Sequence, residues 1–312
     1  MPEHIGAGPT IAATLAAAAD LAPDGRGRLH APVALSSWPG IVHGGGLVAL
    51  FDAVAVALGE IAAPRILQGR LTSSVPIDAA LALEGHADDG AIRLTVLQDG
   101  QTLASGAILG FGLGERGATA AWPGADEGWP LPMSEHCLAC GALNPLGLRA
   151  ELRFNEDGVW ARLAPRAPWR TAGGRPHPAL GPVLLDEIAW WLGALVTREG
   201  GLTNRIRVAL MTPDAPWDAP LIAAGRFETV APVDRKRTFW RTETALMTAD
   251  GRLLATASIV FRGGAEYSAR QLDYFRSRTP PEIFRRMFPD HARCAKSMCH
   301  PGPRSRGGEG GA

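Results

Sequence analysis

Residues 37–59 read S-W-P-G-I-V-H-G-G-G-L-V-A-L-F-D-A-V-A-V-A-L-G, and this stretch decides the fold. A Pro-Gly turn leads through His43 and three glycines into a helix-length run of Leu, Val, Ala and Phe, with Asp52 its single charge. A helix apolar on every side is buried. A lone carboxylate on it costs several kcal/mol to desolvate unless partnered, so Asp52 is either well satisfied or functional. The amides of Gly44, Gly45 and Gly46 open the helix, where unpaired N–H groups and the helix dipole favour developing negative charge. A carboxylate on a buried helix beside a glycine-lined helix start points to chemistry at a carbonyl. The triple glycine is too short for a phosphate-binding loop and lacks the Lys-Ser/Thr of one.

Working outward, residues 10–21 read as a short helix within an N-terminal extension over 1–29. After residue 65 the pattern changes to strands: I-L-Q-G-R-L-T-S-S-V-P, A-L-A-L-E-G-H-A, A-I-R-L-T-V-L-Q and T-L-A-S-G-A-I-L-G-F, separated by Pro-Ile-Asp, Asp-Asp-Gly and Asp-Gly turns. One long helix followed by antiparallel strands predicts an α+β unit, a sheet wrapped on a buried helix. Residues 114–135 are rich in Gly, Pro and Trp and read as a linker.

The second half repeats the first. His177 precedes Asp186 by nine residues, as His43 precedes Asp52, and each Asp lies in a Leu-rich helical segment. Arg70-Leu-Thr is echoed by Arg207-Val-Ala, and the hairpin closing at Phe111 by the one closing at Phe261. The offset grows from 134 at the histidines to 150 at these phenylalanines, as longer loops in the second copy require. A matched series in one order indicates two copies of one unit. The expected boundaries are 30–113 for the first, 136–264 for the second, and 265–312 for a C-terminal helix (265–288) and disordered tail.

The 312 residues suffice for two cores of roughly 130 residues each. A formal net charge of zero offers no electrostatic footprint for nucleic acid. Glu3 and the lack of a basic flank before the Ala-rich run argue against a signal peptide. No apolar run reaches the ~20 residues of a membrane span, so the expected location is cytoplasmic. Four cysteines in a chain this long make no disulfide framework. Cys137 and Cys140 have the spacing of half a zinc site, but Cys294, Cys299 and His300 lie far along the chain at irregular spacing, so the first pair reads as a loop element.

H-G-G-x-x-x-x-L-x-D, from His43 to Asp52, resembles the helix signature of hotdog-fold thioesterases of the PaaI type. Residues 137–148, C-L-A-C-G-A-L-N-P-L-G-L, are similar to the C-x-x-C-G-x-x-N-P-x-G-L opening of many such proteins and are the more specific match. The resemblance covers roughly residues 30–111 and 136–263. It implies two tandem hotdog domains forming an intramolecular pseudo-dimer, acting in fatty-acid metabolism on an acyl-CoA or acyl-carrier-protein thioester. It further implies hydrolysis with no metal and no cofactor beyond the coenzyme A of the substrate, and leaves open a homodimer of such chains.

Gly44 and Asp52 are eight residues apart, about 12 Å along one helix, too far to touch one thioester carbon. The donor of one copy must meet the acid of the other. Two composite sites follow, His43/Gly44 with Asp186 or Glu187, and His177/Pro178 with Asp52. The resemblance makes the backbone N–H after the histidine the oxyanion donor; Pro178 has none, and the second helix is expected to begin near Gly181-Pro182. The competent site is therefore expected to pair Gly44 with Asp186 as base or nucleophile. Asp52 faces the degraded half, and Gly45, His177 and Glu187 are candidate substrate contacts. Asp186 also has the ordinary reading of an acid complementing a helix dipole, and His43 that of a turn-holding bond-former. Arg235, Lys236 and Arg237 are candidates for coenzyme A phosphates or a solvated charge run.

Two other classes stay open. Double-hotdog dehydratases also pair a first-copy His with a second-copy Asp, but their H-x-x-x-G-x-x-x-x-P is absent around His43, where position 47 is Leu. The hydratase version needs an Asp and a His a few residues apart, and no convincing pair is present. A non-catalytic acyl-CoA-binding protein is the third reading, since one half-site is altered.

Overall fold

A computed structural model of the chain describes residues 8–59, 64–111, 127–211 and 220–294. The first half runs α1 (Ile11–Ala18), β1 (Ala19–Leu21), β2 (Arg26–Leu29), α2 (Gly44–Ala57), β3 (Arg65–Leu71), β4 (Leu81–Asp88), β5 (Ala91–Gln98) and β6 (Gln101–Gly110). The four stretches read as strands in the sequence form β3 to β6. In β4, Leu81, Leu83 and Gly85 are buried while Ala82, Glu84 and His86 are exposed, the period of two that lays one face on a core. The β5–β6 connection places both Asp99 and Gly100 at positive φ, the backbone of a tight hairpin turn.

The second half runs β7 (Trp129–Pro130), β8 (Leu152–Phe154), β9 (Gly158–Leu163), α3 (Leu180–Thr197), β10 (Gly201–Leu210), β11 (Leu221–Arg226), β12 (Ala231–Pro232), β13 (Phe239–Thr248) and β14 (Leu253–Gly263). All strands join one antiparallel sheet in the order β1-β2-β4-β5-β6-β3-β10-β14-β13-β11-β9-β8-β7, with β12 paired to β13. Read outward from the β3–β10 seam, the two halves are the same arrangement: β6, β5, β4, β2 on one side and β14, β13, β11, β9 on the other. The repeat seen in the sequence is thus a repeat of topology.

Helices α2 and α3 lie on the sheet and against each other. A Cβ on Gly45 would stand 2.2 Å from the Pro182 carbonyl oxygen, so a glycine is what lets the two backbones meet. The helix-to-sheet packing repeats too: Phe51 fills the space a Cβ on Gly106 would need, and Phe261 does the same at Gly193. Helix α3 has the length and composition of a membrane span, but 78% of it is buried inside the fold, which makes it a core helix.

Several boundaries move. Helix α1 ends at Ala18 rather than near residue 21, because Ala19–Leu21 pairs with β2, which pairs with β4. The sheet of the first unit therefore begins inside the segment read as an extension over 1–29. Trp129 and Pro130, read as linker, pair with β8 and belong to the second unit. Helix α3 starts at Leu180, just ahead of the expected Gly181-Pro182. The single C-terminal helix expected over 265–288 is two helices, α4 (Ala265–Arg276) and α5 (Pro281–Met287), interrupted where Pro280 and Pro281 cannot continue α4, and a third, α6 (Pro289–Cys294), follows in the segment read as tail. The tail from 295 on, read as disordered, lies outside the described residues, as do 112–126 of the linker.

Candidate active site

His43 caps α2. The Gly46 N–H donates to its Nδ1 at 3.3 Å. Gly45 N–H donates to Asp186 Oδ2 at 2.8 Å, across 141 residues of sequence. Thr203 on β10 donates its hydroxyl to Asp186 Oδ1 at 2.7 Å. Gly44 is buried, and its N–H has no acceptor among the described residues; a Cβ on it would lie 2.8 Å from Asp186 Oδ2. A free helix-start N–H and a carboxylate thus share one wall of a cavity of about 270 Å³, lined also by Trp38, Trp190, Thr203 and Phe275. The expected meeting of Gly44 with Asp186 is what the fold produces.

The electrostatics follow from burial. Asp186 is 4% exposed. Burial pushes its carboxyl above the ordinary Asp range, outweighing the opposing pull of His43, the Thr203 hydroxyl and the Gly45 amide. His43 is 1% exposed. Burial alone would hold its imidazole down, but Cys137, Glu187 and Asp186 together push it well above its usual value. Its Nδ1 lies 3.4 Å from Asp186 Oδ2 and its Nε2 3.5 Å from Glu187 Oε2. When neutral, Nδ1 accepts from Gly46; when protonated, it donates to Asp186.

The other composite pair is built differently. Asp52 receives two hydrogen bonds from Arg65 on β3, Nε to Oδ1 at 2.5 Å and Nη2 to Oδ2 at 2.7 Å, with both side chains buried. The bidentate guanidinium satisfies the carboxylate, so of the two readings of Asp52 the structure selects the satisfied one. His177 accepts the Ala179 N–H on Nδ1 at 3.2 Å, and burial holds its imidazole below the usual value. Asp52, Gly45 and His177 do not line the cavity, whereas His43, Gly44, Asp186 and Glu187 do. Gly45 still serves the site, as a bond to Asp186 rather than as a substrate contact.

Three contributors escaped sequence reasoning. Thr203 carries no motif. Helix α4 forms part of the cavity wall: Ser268 accepts the Gly200 N–H and Gln271 the Gly201 N–H, which seats Phe275 against Trp190. Arg262 also lines the cavity, while Arg235, Lys236 and Arg237 do not; Arg237 stacks on Trp240 instead. The loop 137–148 contributes as well; it was visible as a motif but read only as a loop element. Its Asn144 donates to the Ala34 and His136 carbonyls and accepts from Leu146, tying the loop to the approach of His43. That brings Cys137 and Cys140 into the cavity, with Cys137 Sγ 3.5 Å from Glu187 Oε2.

No protein-family model and no curated protein matches the sequence. Solved structures do. One is a proposed thioesterase II from Thermobifida fusca, 14% identical, covering 83% of this chain and 99% of that one with a TM-score of 0.58. Another is a hot dog fold protein of unknown function from Alicyclobacillus acidocaldarius, 14% identical, covering 80% and 96% at 0.53. A third is the dehydratase domain of RzxB from Pseudomonas fluorescens, 18% identical, covering 78% and 96% at 0.50. Together with the strand order repeated about β3 and β10, these likenesses give the chain its fold: it is a double-hotdog protein, two tandem hotdog units paired within one chain.

Proposed function

We propose that the chain hydrolyses acyl thioesters, of coenzyme A or of an acyl carrier protein. The observation that carries this reading is Gly44, whose N–H has no acceptor among the described residues, lining the cavity beside the Asp186 carboxylate. Asp186 takes the proton of a water, the hydroxide attacks the thioester carbon, and the oxyanion that forms is held by the Gly44 N–H at the positive end of α2. Collapse expels the thiolate, and the proton held by Asp186 returns to it. The raised proton affinity of Asp186 suits a base. Release of free thiol from long-chain, short-chain and aromatic acyl-CoAs and from an acyl carrier protein tests this directly. Release from none of them above the uncatalysed rate would overturn it.

One observation favours a second reading. His43 Nδ1 and Asp186 Oδ2, 3.4 Å apart, are a first-copy His and a second-copy Asp, the pairing of a β-hydroxyacyl dehydratase. A β-hydroxyacyl thioester separates the two, since dehydration yields a conjugated enoyl thioester with the thiol still attached, whereas hydrolysis yields free thiol.

A further inference from the structure

We propose that Cys137, Cys140, His43 and Glu187 form a closed zinc site in the wall of the acyl cavity. The sequence offers only half a zinc site, and the fold supplies the rest from the first copy and from α3. His43 Nε2 and Glu187 Oε2 are 3.5 Å apart, as are Cys137 Sγ and Glu187 Oε2. Cys137 also engages His43, and Cys140 engages both Cys137 and Glu187. The ligand atoms of His43, Cys137 and Glu187 all lie within 4.8 Å of one another, three of the edges of a tetrahedron that Cys140, on the Cys137 and Glu187 side, completes by closing on His43. With zinc–sulfur bonds near 2.3 Å and zinc–nitrogen or –oxygen bonds near 2.0–2.2 Å, those edges should be roughly 3.3–3.8 Å.

The surroundings are those of a metal site. Residues 137–141, C-L-A-C-G, fold into a tight knuckle: Gly141 N–H donates to the Cys137 carbonyl at 2.8 Å, and Ala139 N–H donates to Cys137 Sγ at 3.3 Å. A Cβ on Gly141 would lie 2.2 Å from that carbonyl oxygen, so the turn needs glycine. An amide aimed at sulfur stabilises a thiolate. Both cysteines are 3% exposed and neither is in a disulfide. The side chain of Glu187 is 12% exposed, and among the described residues its Oε2 meets thiols and an imidazole, weak company for a buried carboxylate. Zinc satisfies all four groups at once. His43 would bind through Nε2 and turn Nδ1–H to Asp186 Oδ2, the carboxylate–histidine–zinc relay that orients such ligands. Two thiolates, an imidazole and a carboxylate suit zinc in tetrahedral geometry. Four protein ligands leave no open position, so the metal acts as a clamp joining α2, α3 and the knuckle.

Metal binding is read without substrate, so its outcome is independent of any hydrolysis. The full chain, purified under reducing conditions without chelator, should carry about one zinc per chain. Cobalt replacement should give thiolate-to-cobalt charge-transfer bands and the intense d–d bands of a tetrahedral site. Cys140→Ser should weaken the charge transfer, and Cys137→Ser should abolish stoichiometric zinc. Cys294→Ser/Cys299→Ser should change neither. Asp186→Asn, which removes the carboxylate that orients His43 but none of the four ligands, should weaken zinc binding about 10–100-fold. The wild-type measurements stand even if a cysteine variant does not fold. A reduced wild-type chain that carries no zinc and gives cobalt spectra without charge transfer would overturn the site. So would stoichiometric zinc retained in Cys137→Ser/Cys140→Ser.

Discussion

The two halves carry the same helix-borne aspartate and treat it in opposite ways. Asp186 is held by an amide and a hydroxyl, with the titratable His43 imidazole 3.4 Å from Oδ2 in place of a permanent charge, and it faces a cavity beside a free N–H. Asp52 is gripped by both arms of Arg65 and faces no such space. The acid position is therefore a property of the hotdog unit, and its role depends on what the neighbouring strand offers it. In the proposed hydrolysis a hydroxyl on β10 leaves Asp186 free to act as base, whereas a guanidinium on β3 ties Asp52 into an ion pair.

On the rate of thioester hydrolysis, Asp186→Asn is the sharpest way to break this contrast and should cost about 10²–10⁴-fold. Comparable loss from Asp52→Asn, with Asp186→Asn near wild type, would reverse the assignment. Gly44→Ala keeps the N–H but drives a methyl to within 2.8 Å of Asp186 Oδ2. Displacing the base by about an ångström should cost on the order of 10²-fold in kcat/KM. Circular dichroism of that variant should match wild type.

The pH profile sharpens the same point. The base works when deprotonated, so activity falls as pH drops through the proton affinity of Asp186, which burial raises above that of an ordinary aspartate. The acid limb should therefore lie above an ordinary aspartate limb. Thr203→Val removes a hydrogen bond that favours the charged form, so the limb should move further up while the plateau rate changes less. Smallest on the rate is Asp52→Asn, within about 3-fold of wild type if Asp52 only holds the fold. Its effect appears in thermal unfolding instead, because it leaves Arg65 buried and half-paired, and losing one partner of such a pair costs about 3–5 kcal/mol.

The all-apolar helix, the His–Asp spacing and the alternating strands were legible because each is a local pattern with a fixed period, and together they carried the double fold. The pairing of Gly44 with Asp186 was legible too, since helix rise alone forbids Gly44 from reaching Asp52. Arg65 was not. It stands 13 residues from Asp52 at the start of a strand, and only the turn of the sheet against α2 brings the guanidinium to the carboxylate. Thr203, Gln271 and Phe275 were hidden for the same reason, as their roles come from packing between distant elements. The cysteine motif was visible and its position was not: the spacing of Cys137 and Cys140 says nothing about a histidine 94 residues earlier in the chain.

The seam of six residue pairs, from Arg65↔Leu210 to Arg70↔Arg205, makes β3 and β10 neighbours within one chain. Where two identical subunits meet, every substitution arrives twice, and dilution separates the halves. Here a codon change alters one half alone, and specific activity should not depend on protein concentration. Arg65, the residue that grips Asp52, opens β3 at the end of that seam. The strand that joins the two halves within one chain also carries the side chain by which they differ.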